Sequence, residues 1–478
     1  MLQYSLVFAG YRSLIMIEKN TYIKNAIDAQ IKNETVSFHM PGHKGTGPQL
    51  TYQQDLTELA ETDNLHFPKG AIKEALRQCS EIFGAQKSYF LINGSSCGIT
   101  ASILSLPEGS RILLPRNAHI SAYYGCILKG LNPIYYYPKN IYQGITLEDI
   151  KQALAVHSGV DCVFVVNPTY YGCCCDIRKI ASYVHHLGKV LIVDEAHGTH
   201  FALSEEYPCS ALEAGADLVI HSGHKNIGGL TQTGILHINS SRIECDAVEN
   251  ALRMVQSTSP SYLLMCSLEQ AVLEASEKQG VMKQIKDDYD IFSRKLMAHS
   301  PFYVENFCLK KCNKIHNSDP FKLWIVTTDS GYSGTEIYRM LAQKGIVLEG
   351  CDANSILALG GFHSCRQDYE ALLKALCNIP LKEKSVGGSV LTELSLPQAN
   401  VVMSMTEAME KPAESRCCDQ AIGQICADFL IPYPPGIPVA VPGEVYTDEI
   451  HQYLHQSDEV LGINKGIMRV LTEKRALS

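Results

Sequence analysis

The sequence predicts an α/β fold, with a large domain built on a mainly parallel sheet and a smaller α+β C-terminal domain. Between about residues 88 and 240, short apolar runs alternate with helical patterns, and the runs are apolar throughout instead of alternating with polar residues. Strands buried on both faces have this composition, and they occur in parallel sheets that helices cover. Alternating units of this kind predict a doubly wound sheet.

Six apolar runs are interpreted as strands of this sheet: Ser88–Ile92, Arg111–Leu114, Cys162–Val166, Val190–Val193, Leu218–Ile220 and Gly234–His237. The segments between them carry signals of helix ends. Thr146 and Asp149 have the spacing of a capping box, and Asp176 is a predicted N-cap of a helix that Gly188 ends. Ser259 and Pro260 are predicted to open a long helix that ends at Gly280.

The pattern changes after residue 281. A strand is predicted at Leu323–Thr327 and a helix at Gly334–Gly345, whereas residues 381–411 are interpreted as a linker. Prolines between residues 432 and 442 exclude a continuous helix and predict a stiff loop. The expected organisation is therefore an N-terminal segment (1–35), a large domain (36–285) and a C-terminal small domain (286–478).

Composition excludes several classes of protein. The 478 residues carry a formal charge of −9, which argues against a broad nucleic-acid surface. Residues 1–16 lack the features of a signal peptide, and the sequence has no apolar run of about 18 residues that could span a membrane. The 18 cysteines do not form the framework of a small disulfide scaffold. We therefore expect a cytoplasmic enzyme with reduced thiols and no membrane partner.

The strongest chemical signal comes from residues that follow neighbouring strands. Asp194 directly follows a buried strand, and Lys225 lies 31 residues later, just past the next strand. Ligands in such sheets bind at the carboxyl ends of the strands. A buried carboxylate stabilises a pyridinium, and a buried lysine amine can form an imine with an aldehyde. The pair predicts a site for pyridoxal 5'-phosphate, although alone Asp194 could be a helix cap and Lys225 a surface charge.

Other residues complete this predicted site. Ser95 and Ser96 follow a strand and open a helix, where backbone N–H groups and hydroxyls can bind a phosphate, and Ser222 could add a third hydroxyl. His119 and Ala196 could pack on the two faces of the ring, although His119 could equally be a capping or core histidine. Thr169 follows another strand and could contact cofactor or substrate. Cys173–Cys175 with His185 and His186 lack the spacing of a zinc site, so no metal is expected.

Several motifs together resemble one known family, the Orn/Lys/Arg decarboxylases, which are fold-type I pyridoxal-phosphate enzymes. The resemblance covers roughly residues 20 to 455, and the length is similar to that of the compact form, which lacks an N-terminal wing domain. The motifs that carry it are Phe38-His-Met-Pro-Gly-His-Lys-Gly45, Asp55-Leu-Thr-Glu-Leu59, Leu65-His-Phe-Pro68, Asn93-Gly-Ser-Ser96, Asp194-Glu-Ala-His-Gly198, Ser222-Gly-His-Lys225 and Ile431-Pro-Tyr-Pro-Pro-Gly-Ile-Pro438.

The resemblance implies a role for each matched residue. Lys225 would hold the cofactor, Asp194 would pair with the ring nitrogen, and His119 would stack on the ring. It also implies a homodimer or higher oligomer with active sites near the interface, toward which the segment Pro41–Lys44 would reach. Ser95, Ser96, Ser222 and His224 would surround the phosphate and the aldehyde end, and Ala196 and His197 are further expected cofactor contacts. The sequence departs from the family pattern at Asn226-Ile227-Gly228, where Thr-Leu-Pro is expected, and at Cys173–Cys175.

The expected reaction is removal of the α-carboxylate from a basic amino acid, which yields CO₂ and an amine for polyamine synthesis. Arginine is the first expected substrate, ahead of lysine and ornithine, by analogy with compact members of the family. Asp55 and Glu444 are candidate acceptors for the distal cation of the substrate, although both could be caps or surface charges. The alternatives are another fold-type I activity, such as an aminotransferase or a lyase, and a catalytically weak binding homologue.

Overall fold

The computed structural model describes residues 20–32, 41, 44, 51–382, 395–433, 436–455, 457 and 459–472. The expectations for residues 1–16, for most of the Pro41–Lys44 segment and for part of the 381–411 linker lie outside the described residues. The strands are β1 Lys87–Leu91, β2 Ile112–Pro115, β3 Ile134–Tyr136, β4 Cys162–Val166, β5 Cys173–Cys174, β6 Val190–Asp194, β7 Leu218–Ser222, β8 Gly234–Ile238, β9 Tyr303–Val304, β10 Asn317–Ser318, β11 Lys322–Val326, β12 Gly350–Cys351, β13 Ser355–Leu359, β14 Ala413–Cys417, β15 Ile431–Pro432, β16 Val460–Leu461, β17 Ile463–Asn464 and β18 Ile467–Leu471.

The helices cover both faces of the large sheet and link the smaller ones. They are α1 Tyr22–Lys32, α2 Thr51–Gln54, α3 Ala71–Phe83, α4 Gly94–Leu104, α5 Ile120–Lys129, α6 Leu147–Val156, α7 Ile177–His186, α8 Gly223–Asn226, α9 Cys245–Val255, α10 Tyr262–Glu277, α11 Gln279–His299, α12 Glu305–Lys311, α13 Gly334–Gln343, α14 Arg366–Cys377, α15 Met405–Glu410, α16 Cys418–Ala421 and α17 Asp448–Leu454. No helix in the described part of the chain is long and apolar enough to cross a membrane.

A seven-stranded sheet forms the centre of the large domain, in the order β1-β8-β7-β6-β4-β2-β3. Neighbouring strands from β7 through to β3 are parallel, whereas β8 is antiparallel to both β7 and β1. The inner strands are buried along nearly their whole length, as their apolar sequences require. The predicted mainly parallel α/β domain is thus confirmed, and all six predicted strands are present.

The helix-end predictions are confirmed in two cases and wrong in a third. Thr146 and Asp149 form a reciprocal capping box, and the Asp176 side chain accepts from the backbone N–H of Lys179. The long helix predicted to start at Ser259-Pro260 instead has Ser261 as its N-cap. Gly280 does not end it, because the chain leaves helical geometry at Lys278 (φ −99°, ψ 51°) and Gly280 already lies in α11.

The C-terminal region contains smaller sheets and surrounding helices, in agreement with the predicted α+β domain. A four-stranded sheet runs β12-β13-β11-β9, and a three-stranded sheet runs β14-β18-β17, each with antiparallel pairing. Buried side chains of β11 and β13 belong to the same apolar cluster as those of β4 and β6. The first of these sheets is therefore packed against the large domain, which brings residues of β11 close to the carboxyl ends of the central strands.

Candidate active site

A cavity of about 260 Å³ opens at the carboxyl ends of the central strands. Its walls come from the segments after β1, β2, β4, β6 and β7, together with Gly436 and Ile437 of the proline-rich loop. Nine of the residues predicted from sequence line it: Ser95, Ser96, His119, Thr169, Asp194, Ala196, His197, His224 and Lys225. The parallel sheet accounts for this convergence, because residues after neighbouring strands meet at one edge.

Asp194 is the last residue of β6 and provides a buried carboxylate that lines the cavity. Its side chain is 6% exposed, and its Oδ1 atom accepts from the backbone N–H of Ala196 at 3.1 Å. Burial raises the pKa of Asp194, while the positive charges of Lys225 and His119 act in the opposite direction. A cationic group placed against this carboxylate would therefore be strongly stabilised.

Lys225 lies on the short helix α8, directly after β7. Burial lowers the pKa of its ammonium, and the nearby carboxylates of Asp194 and Glu349 oppose the shift. A lower pKa increases the share of neutral amine, which is the nucleophilic form. The site thus combines an accessible amine with a carboxylate across one cavity.

His197 lies between two lysines, an arrangement that the sequence did not reveal. Its Nε2 atom is 3.0 Å from Nζ of Lys225, and its Nδ1 atom is 2.6 Å from Nζ of Lys322. Lys322 is the first residue of β11 and is 1% exposed, and burial lowers its pKa from 10.5 to about 7. A neutral imidazole with one N–H and one lone pair can accept from one amine and donate to the other.

The first turn of α4, where the sequence predicts phosphate binding, lines the cavity. Ser95 and Ser96 follow Gly94, whose φ of +77° suits glycine. Ser222 does not line the cavity, because it is fully buried behind His224 with its Oγ atom 3.2 Å from Nδ1 of that histidine. Backbone N–H groups at the helix start and two serine hydroxyls are thus available to an anion.

His119 and Ala196, the residues predicted to pack on the two faces of a ring, both line the cavity. His119 is the N-cap of α5, and its Nδ1 atom accepts from the backbone N–H of Ser121 at 3.2 Å. The hydrogen bond fixes the imidazole, whose ring is exposed toward the cavity in the single chain. Ala196 offers a small apolar surface with 5% exposure. His119 is therefore both the N-cap of α5 and a residue that lines the cavity.

The three candidate substrate residues have different surroundings. Thr169 lines the cavity, but its hydroxyl already donates to Tyr142 O at 2.9 Å and accepts from the Cys173 N–H. Asp55 follows α2, is partly buried, and is not among the residues that line the cavity in the described chain. Its role as an acceptor stays a prediction.

The structure does not support Glu444 as the acceptor of a substrate cation. Its carboxylate binds the Arg116 guanidinium through two hydrogen bonds of 2.8 and 3.2 Å, and it also accepts from the Val441 N–H at 3.0 Å. Both side chains of the pair are almost completely buried. Because these partners occupy both carboxylate oxygens away from the cavity, Glu444 joins the C-terminal segment to the end of β2.

A second buried chain of polar groups was also missed by the sequence analysis. Glu195 Oε2 pairs with His221 Nε2 at 2.9 Å, His221 Nδ1 with His237 Nε2 at 3.1 Å, and His237 Nδ1 with Ser88 Oγ at 2.8 Å. Burial raises the pKa of Glu195 and lowers the pKa of His221, which favours uncharged groups. This chain connects Glu195, which directly follows β6, with residues of β7, β8 and β1. The hydrophobic pattern along a single segment cannot reveal these contacts, because they join side chains on different strands.

The structure accounts for the burial of the cysteine run and for one residue of the Asn226-Ile227-Gly228 departure, Gly228. Cys173 and Cys174 form β5, paired with β10, and burial raises the pKa of the Cys175 thiol to about 12. Gly228 has a φ of +89°, and a Cβ atom there would lie 2.6 Å from Nε2 of His363. The backbone at this position therefore requires glycine.

Two family models match the chain. The model of the Orn/Lys/Arg decarboxylase major domain matches residues 23–302, and the model of the C-terminal domain of the same family matches residues 389–462. The domain limits given above are not tested by these matches and stay a prediction.

Individual relatives agree with the family models. The arginine decarboxylase of Bacillus anthracis is 32% identical over 92% of this chain and 93% of its own length. A lysine decarboxylase of Pseudomonas aeruginosa is 24% identical over 87% of this chain and 73% of its own. The crystal structure of a Francisella novicida lysine decarboxylase superposes with a TM-score of 0.79 at 18% identity, over 95% of this chain and 81% of that one. The chain therefore belongs to the Orn/Lys/Arg decarboxylase family.

Proposed function

We propose that the cavity binds pyridoxal 5'-phosphate on Lys225 and that the protein decarboxylates a basic amino acid, with arginine as the preferred substrate. The observation that supports this most directly is the placement of the buried Asp194 carboxylate and the Lys225 amine on one cavity, at the ends of adjacent parallel strands. Family membership supports the reaction class.

The residues present fit each part of this cofactor. Asp194 would hold the ring nitrogen, His119 and Ala196 the two faces of the ring, and the first turn of α4 with Ser95 the phosphate. When bound, the cofactor supplies an electron sink for the electron pair that remains when CO₂ leaves. Asp194 contributes by favouring a protonated ring nitrogen, because its carboxylate is buried and lacks a lysine or arginine hydrogen bond in the described structure.

Lys322, His197 and Lys225 would form a chain of hydrogen bonds that holds a proton next to the amine of Lys225. Lys322 can donate to Nδ1 of His197, and the Nε2–H of His197 can donate to the neutral amine of Lys225. This polarity keeps Lys225 uncharged and nucleophilic, and it gives a buried proton source next to the amine. Lys322 does not line the cavity in the described chain, so it would act through His197 as a positioning residue.

The preference for arginine rests on the relatives. Curated relatives named arginine decarboxylase are 32% identical, whereas the lysine decarboxylase of Pseudomonas aeruginosa is 24% identical. An acidic group lies beside the cavity: Glu349 accepts from the hydroxyl of Tyr170, a lining residue, at 3.1 Å. We propose Glu349, together with Asp55, as candidate acceptors of the distal cation. A homodimer, a cytoplasmic location and a role in polyamine synthesis belong to the same proposal.

The test is a product assay. Purified protein loaded with the cofactor is given arginine, lysine or ornithine, and CO₂ and the corresponding amine are measured, with Lys225→Ala as the inactive control. We expect release of CO₂ and amine in equal amounts, fastest with arginine, and no activity in Lys225→Ala. A keto acid product would instead indicate an aminotransferase. Failure of the protein to take up the cofactor would support a binding homologue.

A further inference from the structure

Three potential metal ligands meet in the C-terminal region, outside the cavity lining. They are Asp419 on α16, His451 on α17 and His455, which follows the last residue of α17. One ligand atom from each side chain lies within 4.8 Å of the other two. We propose that these three residues bind a divalent transition metal ion such as Zn²⁺, with at least one coordination position left to water.

The spacing of the two histidines places both rings on one side of the helix. Residues four apart in an α-helix are neighbours on its surface, and a His-x-x-x-His pair is a common zinc-binding arrangement. His451 Nε2 is 3.0 Å from His455 Nε2 and 3.3 Å from Asp419 Oδ1. Ligand atoms bound to zinc at about 2.0–2.1 Å in a tetrahedron lie about 3.3 Å apart. These two separations thus already suit one shared ion, and all three ligand atoms lie within 4.8 Å of one another.

Tyr446 orients His451 for this role. Its hydroxyl lies 2.9 Å from Nδ1 of His451, within hydrogen-bond distance. When this hydroxyl accepts the Nδ1–H of the histidine, the lone pair remains on Nε2, the atom that faces His455. Metal-bound histidines are typically fixed in this way through their second nitrogen.

The donor set defines the class of ion. Two imidazoles and one carboxylate suit Zn²⁺ and Co²⁺, whereas Mg²⁺ and Ca²⁺ prefer oxygen ligands alone. The site is partly exposed, since His451 is 14% exposed and Asp419 is 77% exposed. Binding would connect two short helices, α16 and α17, on the surface of the three-stranded sheet region. The proposal is independent of the decarboxylase activity.

The experiment measures binding of Zn²⁺ and Co²⁺ by the cofactor-loaded protein. We expect one ion per chain at this site, a visible Co²⁺ spectrum of a four- or five-coordinate nitrogen and oxygen site, and no thiolate charge-transfer band. His455→Ala should weaken binding by at least about tenfold, and Tyr446→Phe by about tenfold. His186→Ala is the matched control, because His186 is exposed near the end of another helix, and it should leave binding unchanged.

Unfolding of the variants is checked separately. His455→Ala should melt at the same temperature as the wild-type protein in the absence of metal, and Zn²⁺ should raise the melting temperature of the wild type but not of this variant. Equal affinity in the wild type and His455→Ala would overturn the proposal. A thiolate band in the Co²⁺ spectrum would also overturn it, since the ion would then be bound by cysteines.

Discussion

Replacing Glu444 by glutamine removes one charge from a buried ion pair without changing the volume of the side chain. The partner guanidinium of Arg116 is fully buried and would keep its hydrogen bond to Val439 O at 2.9 Å and its position over the Tyr135 ring at 4.6 Å. Removal of one member of a buried pair typically costs 3–5 kcal/mol. Because Arg116 retains these two contacts, we expect a loss near the lower limit, about 3 kcal/mol.

The assay is denaturant-induced unfolding of Glu444→Gln, followed by circular dichroism. Glu81→Gln is the control, because Glu81 pairs with Arg77 on the surface, where such pairs contribute less than about 1 kcal/mol. The double variant Arg116→Met/Glu444→Leu should recover most of the lost stability, since neither charge then remains buried alone.

Enzyme kinetics on the same variant distinguish the two roles considered for Glu444. If Glu444 stabilises the fold through Arg116, Glu444→Gln lowers stability while the KM for a basic amino acid in the folded protein stays close to the wild-type value. Unchanged stability combined with a tenfold higher KM would refute this reasoning. Glu444 would then contact the substrate, as the sequence had suggested.

Three further predictions concern residues around the cavity. Asp194→Asn should lower the decarboxylation rate by at least about 100-fold, measured as CO₂ release. The pKa of Lys322 is about 7 in the folded chain and 10.5 in the unfolded chain, so between these pH values only the unfolded chain keeps this proton. The free energy of unfolding therefore rises with pH in this window. Lys322→Met should reduce that rise by up to about 1.4 kcal/mol per pH unit, measured by unfolding at several pH values. Gly172→Ala should cost about 2 kcal/mol more than Gly84→Ala: both have positive φ, but only at Gly172 would a Cβ atom lie 2.5 Å from Lys322 Cβ.

These predictions have clear contrary outcomes. Asp194→Asn with unchanged turnover would remove the proposed role of the carboxylate. Parallel pH profiles of stability for the wild type and Lys322→Met would show that Lys322 keeps an ordinary pKa. Equal losses for the two glycine variants would show that the contact with Lys322 has no energetic effect.

The large sheet could be predicted from sequence because its strands are buried on both faces. Cys162–Val166 and Val190–Val193 are continuous apolar runs, and the rule that ligands bind at strand ends then points to Asp194, Lys225 and His119. Short elements lacked such a signal. β5 contains two residues that pair with a distant segment, and no local pattern identifies a strand of this length.

Long-range contacts explain what the sequence analysis missed in the site. Lys322 and His197 are 125 positions apart, and they meet because β11 packs against the large domain. The strand predicted at Leu323–Thr327 identified β11, but it did not indicate that the side chain of its first residue, Lys322, contacts His197. The ion pair of Glu444 could not be predicted for a similar reason, since its partner Arg116 lies 328 positions away. The position of Glu444 just after the proline-rich loop gives no indication of a partner so distant in sequence.

The proposed function depends on which amine holds the cofactor. Two lysines contact the same histidine, Lys225 at 3.0 Å and Lys322 at 2.6 Å, so the assignment can be tested directly. The cofactor-loaded protein is reduced with borohydride and digested, and the labelled peptide is identified by mass spectrometry. We predict the label on Lys225. A label on Lys322, or no labelled lysine at all, would contradict the proposed site.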